Sequence, residues 1–168
     1  MKKLLLICLV GIAGVFAASE SKAQDMDYDY RTALGLKLWR DGGGITLKHF
    51  VRTNRALEGI GYFWGGGSRI TGLYEYHFDF AGAPGLKWYV GPGVHVGFYN
   101  ANYNGNGNGY YYNGSSGAYI GIDGVLGLDY KFKGAPINLS IDWQPSFEFG
   151  DNRGFVGSWG GLGIRYTF

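Results

Sequence analysis

Cysteine is all but missing from this chain. Its single cysteine, Cys8, lies in an N-terminal stretch with the make-up of a cleavable leader. Past that leader no disulfide, thiolate nucleophile or cysteine-bound metal is available. Long apolar runs are lacking too: beyond residue 23 nothing approaches the ~20 residues that a membrane-crossing helix needs. Neither sign of charge is in excess. Setting aside Lys2, Lys3, Lys22 and Glu20 leaves twelve Lys and Arg against twelve Asp and Glu. That balance excludes the basic footprint of a nucleic-acid binder and the acidic tail of a disordered segment. The 3.6-residue period of an amphipathic helix is nowhere sustained.

The leader has a positive start at Lys2 and Lys3, an apolar core from Leu4 to Ala18, and a small-x-small site at Ser21-Lys22-Ala23. Residues 1–23 are therefore expected to be a cleaved signal peptide, and residues 24–168 a single domain. Cys8 lies too far from the cleavage site to be the lipid-bearing cysteine of a lipoprotein.

What the full chain has in plenty is glycine, 32 residues with all but Gly11 and Gly14 beyond the leader, and aromatic side chains, at 18%. Glycine alone suggests low complexity, but here it is interleaved with alternating aliphatic and aromatic residues, which points to many strands. Clusters of Gly, Pro and Asn cut the chain into eight runs: 31–40, 44–51, 56–64, 69–80, 86–99, 118–132, 137–149 and 155–168. Each is near or above the ~9–11 residues that a tilted strand needs to cross a bilayer, and eight is the smallest even number for such barrels. The run 137–149 shows the pattern best. Ile137, Leu139, Ile141, Trp143, Phe147 and Phe149 share one face; Asn138, Ser140, Asp142, Gln144, Ser146 and Glu148 share the other.

Two further patterns say which face looks inward. Aliphatic residues gather mid-strand and rings at strand ends, as in a bilayer with interfacial aromatic girdles. The connections also alternate. The even ones (52–55, 81–85, 133–136) are short, and the long one, 100–117, is the fifth, as expected when turns lie on one side of a membrane and loops on the other. The apolar face then meets lipid, and the fold expected is an all-β, eight-stranded antiparallel up-and-down transmembrane β-barrel.

Facing inward on this reading are Lys37, Lys48, Glu58, Glu75, His77, Asp79, Lys87, His95, Asp123, Asp129, Lys131, Asp142, Glu148 and Arg165. Isolated charges in a dry interior are prohibitive, whereas mixed signs facing each other are tolerable. Eight strands leave an interior just wide enough for side chains to fill. A lumen plugged by ion pairs follows, formed by Lys48, Glu58, Glu75, Asp79, Lys87, Asp129, Lys131, Asp142, Glu148 and Arg165. Asp79 should meet Lys87 across the 81–85 turn. Gly91, Gly93, Gly121 and Gly127 should make room for bulky neighbours. Pro92 and Pro145, each lacking a ladder donor, should mark a bulge or kink.

The last run, Gly161-Leu162-Gly163-Ile164-Arg165-Tyr166-Thr167-Phe168, alternates and ends on an aromatic residue. It resembles the assembly signal of outer-membrane barrels. With Ile45-Thr46-Leu47-Lys48-His49-Phe50, Leu73-Tyr74-Glu75-Tyr76-His77, Gly91-Pro92-Gly93-Val94-His95-Val96-Gly97 and Leu139-Ser140-Ile141-Asp142-Trp143-Gln144-Pro145, the chain resembles the small outer-membrane β-barrel family of Bacteroidetes-type bacteria, of OmpX/OmpA-like architecture. The resemblance implies an outer-membrane location, contact with membrane lipid and lipopolysaccharide, and recognition of Leu162, Ile164, Tyr166 and Phe168 by the barrel assembly machinery. It implies no activity, since fold analogy does not supply one.

Candidate sites are few. His77 and His95 face inward but several rungs apart, too far for converging metal ligands. His49 faces outward near the turn side, without an outward Ser or Asp to complete a lipid-modifying triad. The inward carboxylates lack the accessible cleft that glycoside chemistry needs. The loop 100–117, with Tyr103, Tyr110, Tyr111 and Tyr112 among Gly and Asn, has a paratope-like composition and is the candidate surface for a ligand. A structural or adhesion-like role in a monomer is expected, without cofactor, catalytic centre or nucleic-acid partner. A narrow passive pore is the alternative, and a lipid-modifying enzyme the third reading.

Overall fold

The computed structural model describes residues 30–99, 117–149 and 153–168. The expected signal peptide and its cleavage site lie outside them, as do Tyr103, Tyr110, Tyr111 and Tyr112. Strands β1 (Thr32–Trp39), β2 (Gly42–Arg52), β3 (Arg55–Trp64), β4 (Gly67–Asp79), β5 (Leu86–Tyr99) and β6 (Gly117–Lys131) follow one another in sequence. The seventh wall is made of β7 (Ile137–Trp143) and β8 (Ser146–Phe149), and the eighth of β9 (Phe155–Val156) and β10 (Gly160–Thr167). Neighbours pair antiparallel all the way round, and β10 pairs with β1, closing an eight-stranded up-and-down barrel. The glycines at 42–44 and 67 extend their strands, so that residues 40–41 and 65–66 alone connect β1 to β2 and β3 to β4.

The register fixes the shape. Stepping from partner to partner leads from Ala33 to Lys48, Glu58, Leu73, Gly93, Asp123, Ser146 and Val156. Ala33 itself pairs with Thr167, eleven residues beyond Val156, or ten once an extra residue in the last wall is discounted. A stagger of ten over eight strands tilts them by roughly 40° and leaves a lumen that side chains fill.

That extra residue is a bulge. Gly160 pairs with Trp143 and Val156 with Ser146, so four steps on the last wall oppose three on the seventh. Gly160, at φ 127°, adopts a backbone region that L side chains rarely enter. The bulge turns Phe155 to the outside, 66% exposed, and Trp159 in toward Tyr62. Gln144 N–H donates to Trp159 O at 2.9 Å, and Gly124 N–H to Pro145 O at 2.8 Å. The irregularity expected at Pro145 therefore sits on the strand facing it: pairing of the seventh wall with β6 keeps one register through Pro145. At Pro92 there is no bulge either. Both of its neighbours hold register across it, and only the pairs opposite Gly91 and Pro92 drop out of the β4 ladder. The missing donor opens the ladder without shifting it.

Burial alternates as an inside-out protein requires. Leu36, Ile45, Ile70, Val94, Ile120 and Ile164 are at least half exposed, while Lys37, Lys48, Arg69 and Arg165 are sequestered. Tyr76, Phe78, Phe80, Tyr130, Phe132, Tyr166 and Phe168 ring the turn side of the outer face; Phe63, Phe98, Phe147, Phe149 and Phe155 ring the loop side.

Space inside is made by glycine. A Cβ on Gly127 would overlap the Tyr89 ring, one on Gly97 the Tyr119 ring, and one on Gly121 the His95 ring. Gly93 yields to Leu73, whereas Gly91 lies against the backbone of Tyr74 rather than a bulky side chain. Gly127→Val is expected to cost about 1–3 kcal/mol through overpacking. The readout is a lower temperature at which the compact, detergent-resistant gel band converts to the unfolded one; an unchanged conversion temperature counts against the tight Tyr89 contact.

Candidate functional site

The lumen is the chain's one dense concentration of polar chemistry among the described residues, and strand parity builds it. Lys37 on β1, Thr46 and Lys48 on β2, Glu58 on β3, Glu75 and His77 on β4, Tyr89 on β5, Asp129 on β6, Asn138, Ser140 and Asp142 on β7, and Arg165 on β10 all point inward and are buried. Lys48 Nζ stands 2.8 Å from Glu75, 3.1 Å from Glu58 and 3.4 Å from Asp129, and 4.1 Å from the Tyr89 ring centroid. Arg165 reaches Glu58 at 2.5 Å and donates to Ser140 Oγ at 2.8 Å, Asn138 Oδ1 at 3.1 Å and Thr46 Oγ1 at 3.2 Å. Lys37 pairs with Asp142 at 2.5 Å. Tyr89 OH and Gln144 Nε2 also donate to Asp142, at 2.7 and 2.9 Å. Desolvating so many charges is repaid only because each carboxylate meets a cation or several donors.

Toward the loops the network gives way to rings. Arg69 pairs with Asp123, donates from Nε to Thr71 Oγ1 at 3.1 Å and lies 4.2 Å from the Trp159 ring. His95 Nδ1 bonds the other Asp123 oxygen at 2.8 Å. Arg153 holds Glu148 at 3.0 Å beneath the stacked Tyr99 and Tyr119. Trp39, Trp64 and Trp159 close over Tyr62 with centroid separations between 4.6 and 6.1 Å. This ring cap was not foreseen, although Trp39, Tyr62, Tyr89 and Tyr119 share parity with Lys37, Glu58, Lys87 and Asp123.

On the turn side, Tyr30 tucks under the barrel and donates to Asp129 Oδ2 at 3.1 Å. Burial, and then the Asp129 charge, push its phenol well above the usual range, so it keeps its proton for that bond. A cleft of about 290 Å³ opens there, lined by residues that include Asn54, His77, Asp79 and Lys87. Asp79 and Lys87 do meet, at 3.5 Å, but at the rim and not in the lumen as expected: the Asp79 side chain is 83% exposed. It ends β4, where the wall no longer covers it, and such a pair is worth little. Lys131 faces inward but is held by the Phe132 and Ala135 carbonyls, at 2.9 and 2.6 Å, with no carboxylate in ion-pair range among the described residues.

The histidines separate as their rungs dictate. His77 Nε2 bonds Glu75 at 2.9 Å and its ring stacks on Tyr89, while His95 belongs to Asp123. Among the described residues no group of three or more His, Cys, Asp and Glu is placed to hold a metal ion. His49 has a partner that a search for Ser or Asp overlooks: its Nδ1 lies 2.8 Å from Thr32 Oγ1, the residue opposite on β1. No described carboxylate bonds to this pair, so it lacks the third group that orients a catalytic base.

No known protein family matches the chain, and no curated protein does. Among solved structures, the N-terminal β-barrel domain of Pseudomonas aeruginosa OprF superposes with a TM-score of 0.57 at 20% identity, covering 82% of this chain and 94% of that one. The likeness is one of fold.

Proposed function

We propose that the protein is a small outer-membrane barrel with a structural or surface-interaction role, closed to solute and without catalytic chemistry. The closed lumen carries this reading: Lys37, Lys48, Glu58, Glu75, Asp129, Asp142 and Arg165 are all buried and joined in one network across the bore, inside a wall whose outer face is apolar. The inverted polarity, the short even-numbered turns and the fold shared with the OprF barrel domain support the outer membrane as its place. The resemblance of its segments to barrels of Bacteroidetes-type bacteria belongs to the same reading. Leu162, Ile164, Tyr166 and Phe168, exposed on the outer face, then serve as the assembly signal, and lipopolysaccharide and phospholipid surround a monomer. Loop 100–117, with Tyr103, Tyr110, Tyr111 and Tyr112, is the proposed contact surface for an external ligand; deleting it should abolish surface binding while leaving the barrel intact.

A narrow passive pore is the second reading, favoured by the turn-side cleft that reaches His77. Beyond His77 the bore is filled by Glu75 and Lys48, so purified protein in planar bilayers is expected to pass no steady current. Persistent single-channel openings of the unmodified protein would overturn the closed reading in favour of the pore. The membrane reading itself is tested on gels of outer-membrane fractions, where mobility should change on boiling; a protein that stays soluble and shows no change sinks it.

A further inference from the structure

The hairpin between β2 and β3 ends in an irregularity that re-aims a charge. Phe50 pairs with Ala56, but the next pair is Arg52 with Arg55, leaving Val51 as an extra residue on β2. A bulge of this kind moves the following side chain to the other face, so Arg52 joins Arg55 on the side of Val51 and Leu57. Two like charges now stand opposite each other at a hairpin mouth, an arrangement that disfavours the hairpin. Among the described residues neither is relieved by a carboxylate, and Arg52 is exposed.

The surroundings select the ligand. Arg55 lies 5.5 Å from the Tyr76 ring, which fixes its guanidinium at the depth of the turn-side aromatic girdle, where headgroups sit. Beside the cations the wall is apolar and open: Val51 is 46% and Leu57 50% exposed. One row above, His49 and Thr32 form a polar pair on the same outer face. Paired guanidinium forks match a phosphate, and the apolar strip matches an acyl chain, which a free anion or an acidic peptide would leave uncovered.

We propose that Arg52 and Arg55 form a headgroup site for an anionic glycerophospholipid of the turn-side leaflet. It rests on the membrane reading given above. Full-length protein in micelles is loaded with phosphatidylglycerol or with phosphatidylcholine, and retained lipid is counted by native mass spectrometry. Retention of phosphatidylglycerol over phosphatidylcholine is expected. A basic residue at an anionic surface contributes roughly five-fold, so Arg52→Gln with Arg55→Gln should weaken retention by about 25-fold. Arg40→Gln, on the opposite rim, should leave it unchanged. The double variant is also checked for the boiling-dependent gel shift, and Arg52→Lys with Arg55→Lys should keep part of the preference. Equal retention of the two lipids by the unmodified protein, or full retention by a double variant that still shows the shift, overturns the site while the barrel stands. Loss of the shift in the unmodified protein overturns both.

Discussion

Lys48→Met is expected to lower the unfolding free energy of the barrel by about 3–5 kcal/mol, the cost of leaving buried charge without its partner. Three carboxylates converge on this ammonium, from Glu58, Glu75 and Asp129, and its side chain is wholly buried. Methionine keeps most of the volume, so the loss is electrostatic rather than a cavity. Reversible urea unfolding in lipid bilayers, followed by tryptophan fluorescence, reads the change. Adding Glu75→Gln to Lys48→Met should return roughly 1–2 kcal/mol, the coupling typical of residues in contact, because one orphaned carboxylate is then neutral. A Lys48→Met barrel that unfolds at the unmodified protein's urea midpoint would show that water reaches the network and that the lumen is not closed.

Val94→Arg is expected to cost about 2–4 kcal/mol in a bilayer, the depth-dependent penalty for arginine on a lipid-facing wall. Val94 lies near the middle of β5, 62% exposed, between Gly72 and Ile122 on the flanking strands. The sign of the effect decides the environment. On a water-facing surface an exposed valine changed to arginine is nearly neutral and improves solubility. In lipid it has no escape, since snorkelling reaches water only near the interfaces. Comparing Val94→Arg with an arginine at Phe80, close to the turn-side rim, by the same unfolding measurement gives a built-in control. Equal and negligible penalties at both depths would remove the membrane from the account.

Strand existence was readable because a period of two is the wall's own geometry: each inward charge alternates with an outward aliphatic residue, so Ile137 to Phe149 announced both faces. Strand ends were less so. Gly42 and Gly43 read as a loop by composition, yet they extend β2, and at Gly42 a Cβ would strike the Phe63 carbonyl across the pair, so glycine alone fits. The bulges escaped notice for a different reason. An extra residue in β9–β10 or at Val51 is a relation between two strands, and a one-chain pattern carries only half of it. Prolines drew the eye to Pro92 and Pro145, whereas the register slips lie where glycine and turn geometry tolerate them. The ring cap was legible in parity alone: Trp39 and Tyr62 share faces with Lys37 and Glu58, but a girdle reading of aromatic residues at strand ends masked it. Apart from Asp79 with Lys87 across one short turn, which carboxylate meets which cation could not be read, because pairs such as Lys37 with Asp142 join residues far apart in sequence, and the stagger of the closed wall decides them.

That same stagger governs how the barrel can be made. Lys37 and Lys48, near the start of the chain, find Asp142 and Asp129 only when the second half has arrived, and Glu58 waits for Arg165 near the end. The seam between β1 and β10 joins Ala33 to Thr167. In a nascent half-barrel Lys48 can already meet Glu58 and Glu75, but Lys37 lacks Asp142, Arg69 lacks Asp123 and Glu58 lacks Arg165, so part of the lumen's charge stays unmatched and the loop-closure entropy of the most distant contacts must be met before they reward the chain. Assembly is thereby cooperative across the seam: the last strand completes the wall and brings Arg165 to Glu58 in the same step.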